Sequence, residues 1–142
     1  MIFDICDTLK SFANGEFTDN TVNIIIKNKS NQYETIEFPL KEADSNLLIE
    51  NGKLAYFGMN DKAVLDLEYR YAYVFQPNEY ITNFDPNNYD IIDKIQSQMN
   101  ENMNNIKFVK DKLNIYTKNG HFKVHKDTPR SPDMIGTLVI SF

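Results

Sequence analysis

Asn119-Gly-His-Phe-Lys-Val-His-Lys-Asp-Thr-Pro-Arg-Ser-Pro-Asp-Met-Ile-Gly-Thr-Leu-Val-Ile-Ser-Phe142 decides how the rest of the chain is read. Its centre is His125-Lys126-Asp127. On an extended backbone residues i and i+2 point to the same face, so the imidazole and the carboxylate lie side by side with Lys126 turned away. That is two-thirds of the two-histidine, one-carboxylate triad that holds non-haem iron(II) and leaves coordination positions open. The same tripeptide also reads as a surface strand with a solvated charge pair. Lys112 to Tyr116 reads as a strand, Asn119-Gly120 as a turn, and Phe122 to Asp127 as the returning strand. Two adjacent antiparallel strands are therefore expected over Lys112 to Asp127, with His125 and Asp127 pointing inward. Thr128-Pro-Arg-Ser-Pro132 breaks the second strand, and Gly136 to Phe142 begins another.

Working outward, Gly120-His-Phe122, His125-x-Asp-Thr128 and Met134-x-Gly-Thr-Leu-Val139 resemble the iron(II)- and 2-oxoglutarate-dependent dioxygenases related to prolyl 4-hydroxylase. Tyr56-Phe57-Gly58, Asp66 to Arg70 and Asn83-Phe84 resemble that family's N-terminal region more weakly. The resemblance implies that His125 and Asp127 match the first two iron ligands. It also implies that Thr128 could hold the Asp127 carboxylate by a hydrogen bond, and that Tyr116 could contact 2-oxoglutarate. On the residues alone, Tyr116 also reads as a ring lining a barrel. Val124 stands where the family usually has a small residue or proline. The family's second metal histidine, and the basic residue that pairs with the far carboxylate of 2-oxoglutarate, would come after Phe142. His121 shares a face with His125 on an extended strand, but four residues span about 13 Å. That is too far for one ion, so His121 reads as a turn residue.

The resemblance thus implies the N-terminal portion of an oxygenase, inactive alone, whose complete form uses iron(II), 2-oxoglutarate and ascorbate. Hydroxylation of a protein side chain is the reaction it suggests. A non-catalytic remnant serving as a binding or interaction module is the alternative, and an α+β domain with a chance His-x-Asp is a third reading. A β-helix missing its later strands would oligomerise or need a partner that supplies them.

Length and charge bound these readings. At 142 residues, 42% hydrophobic and 13% aromatic, the chain can bury a core. A net charge of -5 offers no basic footprint for nucleic acid or anionic membranes. One cysteine, Cys6, excludes an internal disulfide framework, and its place among apolar residues suits an inert buried thiol. No secretory signal and no membrane-length apolar run is evident, so a soluble cytoplasmic protein is expected.

The expected fold is α+β in a single domain over 1–142. A helix-bearing support layer, 1–105, leads into 106–142, the first strands of an incomplete, jelly-roll-like double-stranded β-helix. Ile2, Ile5, Cys6, Leu9 and Phe12 recur at helical spacing and predict an opening amphipathic helix ended by Asn14-Gly15. Thr21 to Lys27 and Tyr33 to Phe38 predict a hairpin around Asn28 to Asn31. Lys41 to Asn51 predicts a helix with Ala43, Leu47 and Leu48 inward. Leu54 to Gly58 and Tyr69 to Phe75 read as strands, the second with Tyr69, Tyr71, Tyr73 and Phe75 on one face. Arg70, among apolar neighbours, is expected to pair with Asp66 or Glu68. Pro86 to Asp90 opens the most strongly patterned helix, capped by Asn87 or Asn88, with Ile91, Ile92, Ile95, Met99 and Met103 as its stripe.

Overall fold

A computed structural model describes residues 2–6, 12–16, 19, 21–59, 62–99, 106–125, 127 and 129–142. Among these residues the fold is α+β, two helices with several small antiparallel sheets. In chain order the first elements are β1 (Ile2–Cys6), β2 (Phe12–Glu16), β3 (Asn23–Lys27), β4 (Tyr33–Glu37) and α1 (Glu42–Asn51). There follow β5 (Lys53–Leu54), β6 (Phe57–Met59), β7 (Lys62–Val64), β8 (Arg70–Tyr71), β9 (Tyr73–Phe75) and β10 (Tyr80–Thr82). A 3-10 turn (Pro86–Asn88) then precedes α2 (Ile91–Met99), β11 (Leu113–Ile115), β12 (His121–Phe122) and β13 (Thr137–Ser141). No helix among the described residues is long and apolar enough to cross a membrane. The chain forms two compact units, each gathered from separate stretches: 22–83 with 109–124, and 1–21 with 84–108 and 125–142.

The first of these units is built on the expected hairpin. Alternation in β3 turns Ile24 and Ile26 to one face, and β4 adds Ile36 directly opposite Ile24. Asn28 Oδ1 accepts from the backbone N–H groups of Ser30 and Gln32, each at 2.9 Å, which folds the turn. Asn31 takes the left-handed conformation there, with φ 64°, and asparagine is among the few residues that tolerate it. β10 pairs with the other edge of β3, and Leu48 of α1, Phe75 and Tyr80 close the core. Each fully buried branched side chain contributes about 1.5–3 kcal/mol of transfer free energy. Ala43 is exposed, contrary to expectation. The buried face of α1 centres on Leu48, and a residue five positions earlier lies about 140° around the helix.

β9 pairs with β5 on one side and β11 on the other, while β12 pairs with β8. The two strands expected over Lys112 to Asp127 therefore exist in shorter form and pair elsewhere. Leu113 lies opposite Phe75 and Phe122 opposite Arg70, so each follows one of the consecutive strands β9 and β8. Between them Gly120 N–H donates to the Thr117 carbonyl at 2.8 Å; a Cβ at Gly120 would stand 2.8 Å from the Thr117 nitrogen. β12 ends at Phe122, with one further bond from Lys123 N–H to the Tyr69 carbonyl. Its partner runs out because the chain before β8 turns, the Arg70 N–H donating to the Asp66 carbonyl. His125 and Asp127 consequently lie beyond the strand rather than on it.

Arg70 is buried but does not pair with Asp66 or Glu68. Its Nη1 donates to the Tyr56 carbonyl and its Nη2 to Asn114 Oδ1, both at 2.9 Å. Asp66 instead accepts from the Glu68 N–H through Oδ1, so its carboxylate is spent on its own turn. Tyr71 and Tyr73 share a half-buried face, with ring centroids 6.1 Å apart. Ala72 and Val74 on the opposite face are the more deeply buried, packed with Ala55.

In the second unit β1 is the central strand of a sheet ordered β13-β1-β2. The expected opening helix is thus a pair of strands, and Asn14-Gly15 lies inside β2 instead of ending a helix. Ile2, Phe3 and Ile5 are β-favouring types, and five residues of β13 pair with β1 in register from Ile2↔Ser141 to Cys6↔Thr137. Leu9 lies outside the described residues. The α2 stripe is as expected at Ile91 and Ile95, both almost completely buried, with Leu138 and Ile140 of β13 and Phe84, Tyr89 and Phe108 packed against them. Met103 is outside the described residues. The 3-10 turn before the helix is capped by Asp85, whose Oδ1 accepts from Asn87 N–H at 2.9 Å, and Asn87 and Asn88 lie within that turn. The residue preceding Pro86 has the extended conformation a cap needs.

Tyr89 donates its hydroxyl to Asp19, and Asp19 also accepts from the N–H and hydroxyl of Thr21 at 2.7 Å each. The Tyr89 hydrogen bond, followed by those from Thr21, holds the Asp19 carboxyl below the usual carboxylate range. Burial, then the bond to Asp19, pushes the Tyr89 phenol up to about 12.

Candidate metal centre

His125 Nε2 and Asp127 Oδ1 are 3.4 Å apart. The other carboxylate oxygen of Asp127, Oδ2, accepts from the Thr137 hydroxyl at 2.8 Å. Thr137 is the first residue of β13, opposite Cys6 of β1, and the next inward residues of that strand pack on α2. A line of support therefore runs from the Ile91/Ile95 stripe, through β13, to Thr137 and so to the carboxylate.

The segment between Asp127 and Thr137 is folded on itself. Met134 N–H donates to the Ser131 carbonyl at 3.2 Å, and Arg130 N–H points at Met134 Sδ, also at 3.2 Å. Pro129 before this turn and Pro132 within it each fix φ. The turn returns the chain so that residues ten apart in sequence share a hydrogen bond.

His125 and Asp127 side chains are 33% and 54% exposed. Two ligands about 2.1 Å from one ion in cis positions lie about 3 Å apart. The 3.4 Å separation is close to that, and the atoms facing each other, an imidazole nitrogen and a carboxylate oxygen, are suitable donors. The pair fits two positions on a divalent cation. Among the described residues, no group of three His, Cys, Asp or Glu side chains is placed to hold one.

Tyr116 and His121, also singled out in the sequence, lie in the other compact unit. Tyr116 follows β11 and is 48% exposed. His121 sits in β12 with Nδ1 3.2 Å from the Asn119 carbonyl and Nε2 3.1 Å from the Glu68 carbonyl. Both ring nitrogens face backbone oxygens, so the ring ties the turn to the segment before β8. Thr128 is outside the described residues. Thr137, which the sequence reading passed over, is the residue whose hydroxyl holds Asp127; its signal was the Gly136-Thr137 step at the start of a strand. Comparison with protein-family models, curated proteins and solved structures finds no match.

Proposed function

We propose that this chain carries part of the iron centre of an iron(II)- and 2-oxoglutarate-dependent oxygenase related to prolyl 4-hydroxylase. The observation that supports it is the approach of His125 Nε2 to Asp127 Oδ1, with Oδ2 taken by Thr137. In this reading His125 and Asp127 hold the metal, and Thr137 fixes which carboxylate oxygen is presented to it. Iron(II), with 2-oxoglutarate and dioxygen, would supply the oxidising chemistry that hydroxylates a C–H bond, in this family typically on a protein side chain. Tyr116 would contact 2-oxoglutarate. A second imidazole and a basic residue are also needed, and the resemblance would put both after Phe142. The double-stranded β-helix belongs to the same proposal, and the antiparallel pairs β8–β12 and β9–β11 are compatible with it.

The competing reading, a non-catalytic binding module, draws on the absence of a third ligand beside the pair among the described residues. One assay separates the two. Consumption of 2-oxoglutarate with iron(II) and ascorbate is measured for the 142-residue chain, for a chain continued through the next histidine-bearing strand, and for the continued chain with Asp127→Ala. The oxygenase reading expects turnover only in the continued chain, abolished by the substitution. No turnover in the continued chain favours the binding module, and turnover that survives Asp127→Ala removes that residue from the centre.

A further inference from the structure

Arg70 is the one charged residue buried among the described residues, at 7% exposed. Its surroundings do not neutralise it. The Tyr56 carbonyl and Asn114 Oδ1 accept two hydrogen bonds, and the Phe122 ring centroid lies 4.4 Å from Cζ. All three partners are uncharged. No described carboxylate lies within ion-pair distance of Arg70, and its buried Nε has no hydrogen-bond partner. A guanidinium cannot shed its proton to relieve this. Of its five N–H donors, two are engaged by the named acceptors. Stacking on Phe122 offsets part of the desolvation cost and leaves the charge itself uncompensated.

The same guanidinium lines a cavity of about 120 Å³ in its own unit. Lys53, Lys112 and Gln76 line it too, with Ala55 and Val74 supplying apolar wall, and no acidic residue takes part. Lys53 is engaged by Glu79 outside the cavity lining, whereas Lys112 pairs with no described carboxylate. At ~30 Å³ per water, the space holds about four water molecules. That suits a carboxylate or a single phosphate group.

We propose that this cavity is a binding site for a small oxyanion, a carboxylate or phosphate group held by Arg70 and Lys112. Arg70 supplies a fixed positive charge in the cavity wall, with the Nη protons not taken by Tyr56 and Asn114, and Lys112 a movable charge beside it. Gln76 adds a neutral amide donor. The site is independent of His125 and Asp127, so it stands or falls separately from the oxygenase reading.

The test is a titration of the isotopically labelled 142-residue chain with sodium phosphate, sodium acetate and, at matched ionic strength, sodium chloride. Backbone amide signals and melting temperature are followed. Saturable shifts of the Tyr56, Gln76 and Lys112 amides are expected with phosphate or acetate at millimolar concentration, with a rise in melting temperature, and none with chloride. The oxyanion that saturates at lower concentration identifies the preferred group. Lys112→Gln, a change at an exposed position, should keep the fold and weaken binding about tenfold. Arg70→Gln should abolish saturation, and if that variant fails to fold, Lys112→Gln decides alone. Shifts that do not saturate, that chloride reproduces, or that Lys112→Gln leaves unchanged would overturn the proposal.

Discussion

The two compact units differ in what their side chains are used for. In the unit of 22–83 and 109–124, six buried residues from β3, β4, α1, β9 and β10 interlock around Ile26 and Ile36, which are completely inaccessible. In the unit of 1–21, 84–108 and 125–142, two isoleucines of α2 are the buried residues of the cluster among the described residues, with Phe84, Tyr89, Phe108, Leu138 and Ile140 packed partly exposed against them. Yet the second unit holds the histidine–carboxylate pair. β13, packed on those isoleucines, carries Thr137, whose hydroxyl holds Asp127.

Core truncations sharpen that contrast most strongly. Ile36→Ala and Ile95→Ala should each cost about 2–5 kcal/mol, read by denaturant unfolding. Under conditions where both variants stay folded, only Ile95→Ala should weaken divalent metal binding at His125 and Asp127, because only it loosens β13. Equal weakening by both would break the distinction. Next, Gly120→Ala should destabilise by about 1–3 kcal/mol, since the new methyl meets the Thr117 backbone, which cannot swing aside as a side chain could. Amide exchange should rise first at Gly120 and Lys123, whose bonds close the turn and extend β12.

Thr137→Val should be nearly silent in stability, within about 0.5 kcal/mol, because the site is solvent-exposed. It should nevertheless lower metal affinity about 10- to 100-fold, the usual cost of losing an outer hydrogen bond to a ligand. The smallest effect concerns the Asp19–Tyr89 pair. The folded Asp19 carboxyl lies below its ordinary value, so its contribution is present above about pH 3.8 and is lost as pH falls through the lower folded value. The folded Tyr89 phenol lies above its ordinary value, so its contribution is present below about pH 10 and is lost as pH rises through about 12. Tyr89→Phe should flatten both arms of the stability–pH curve, measured by thermal melting across the range. An unchanged acid arm would remove the pair from the unit's stability.

Much of the first unit was legible in the sequence, because its period-two apolar pattern and Asn-rich turn are local signals that the tertiary structure agrees with. The α2 stripe was legible for the same reason. The opening segment was not. Ile2, Ile5 and Cys6 satisfy helical spacing, but their partner strand, Thr137–Ser141, lies at the other end of the sequence, and no local pattern reveals so distant a pairing. Arg70 misled in a related way: acids two and four residues away suggested a neighbour, while its actual acceptors are Tyr56 and Asn114, 14 and 44 residues off. In the candidate centre, His125 and Asp127 approach each other, but as exposed side chains beyond the strand and not as the inward-pointing strand pair expected. The His-x-Asp spacing could not show that the strand stops short of them, nor that Thr137 would reach back across the turn.

The central claim is that His125 and Asp127, held by Thr137, act as one two-ligand metal site. Titration with manganese(II), a paramagnetic stand-in for iron(II), tests it directly through broadening of nuclear resonances in the labelled chain. The His125 ring signals and the Asp127 and Thr137 amides should broaden first in the unsubstituted protein, and this early broadening should vanish in Asp127→Ala. Early broadening centred elsewhere, or the same pattern retained in Asp127→Ala, would contradict the account.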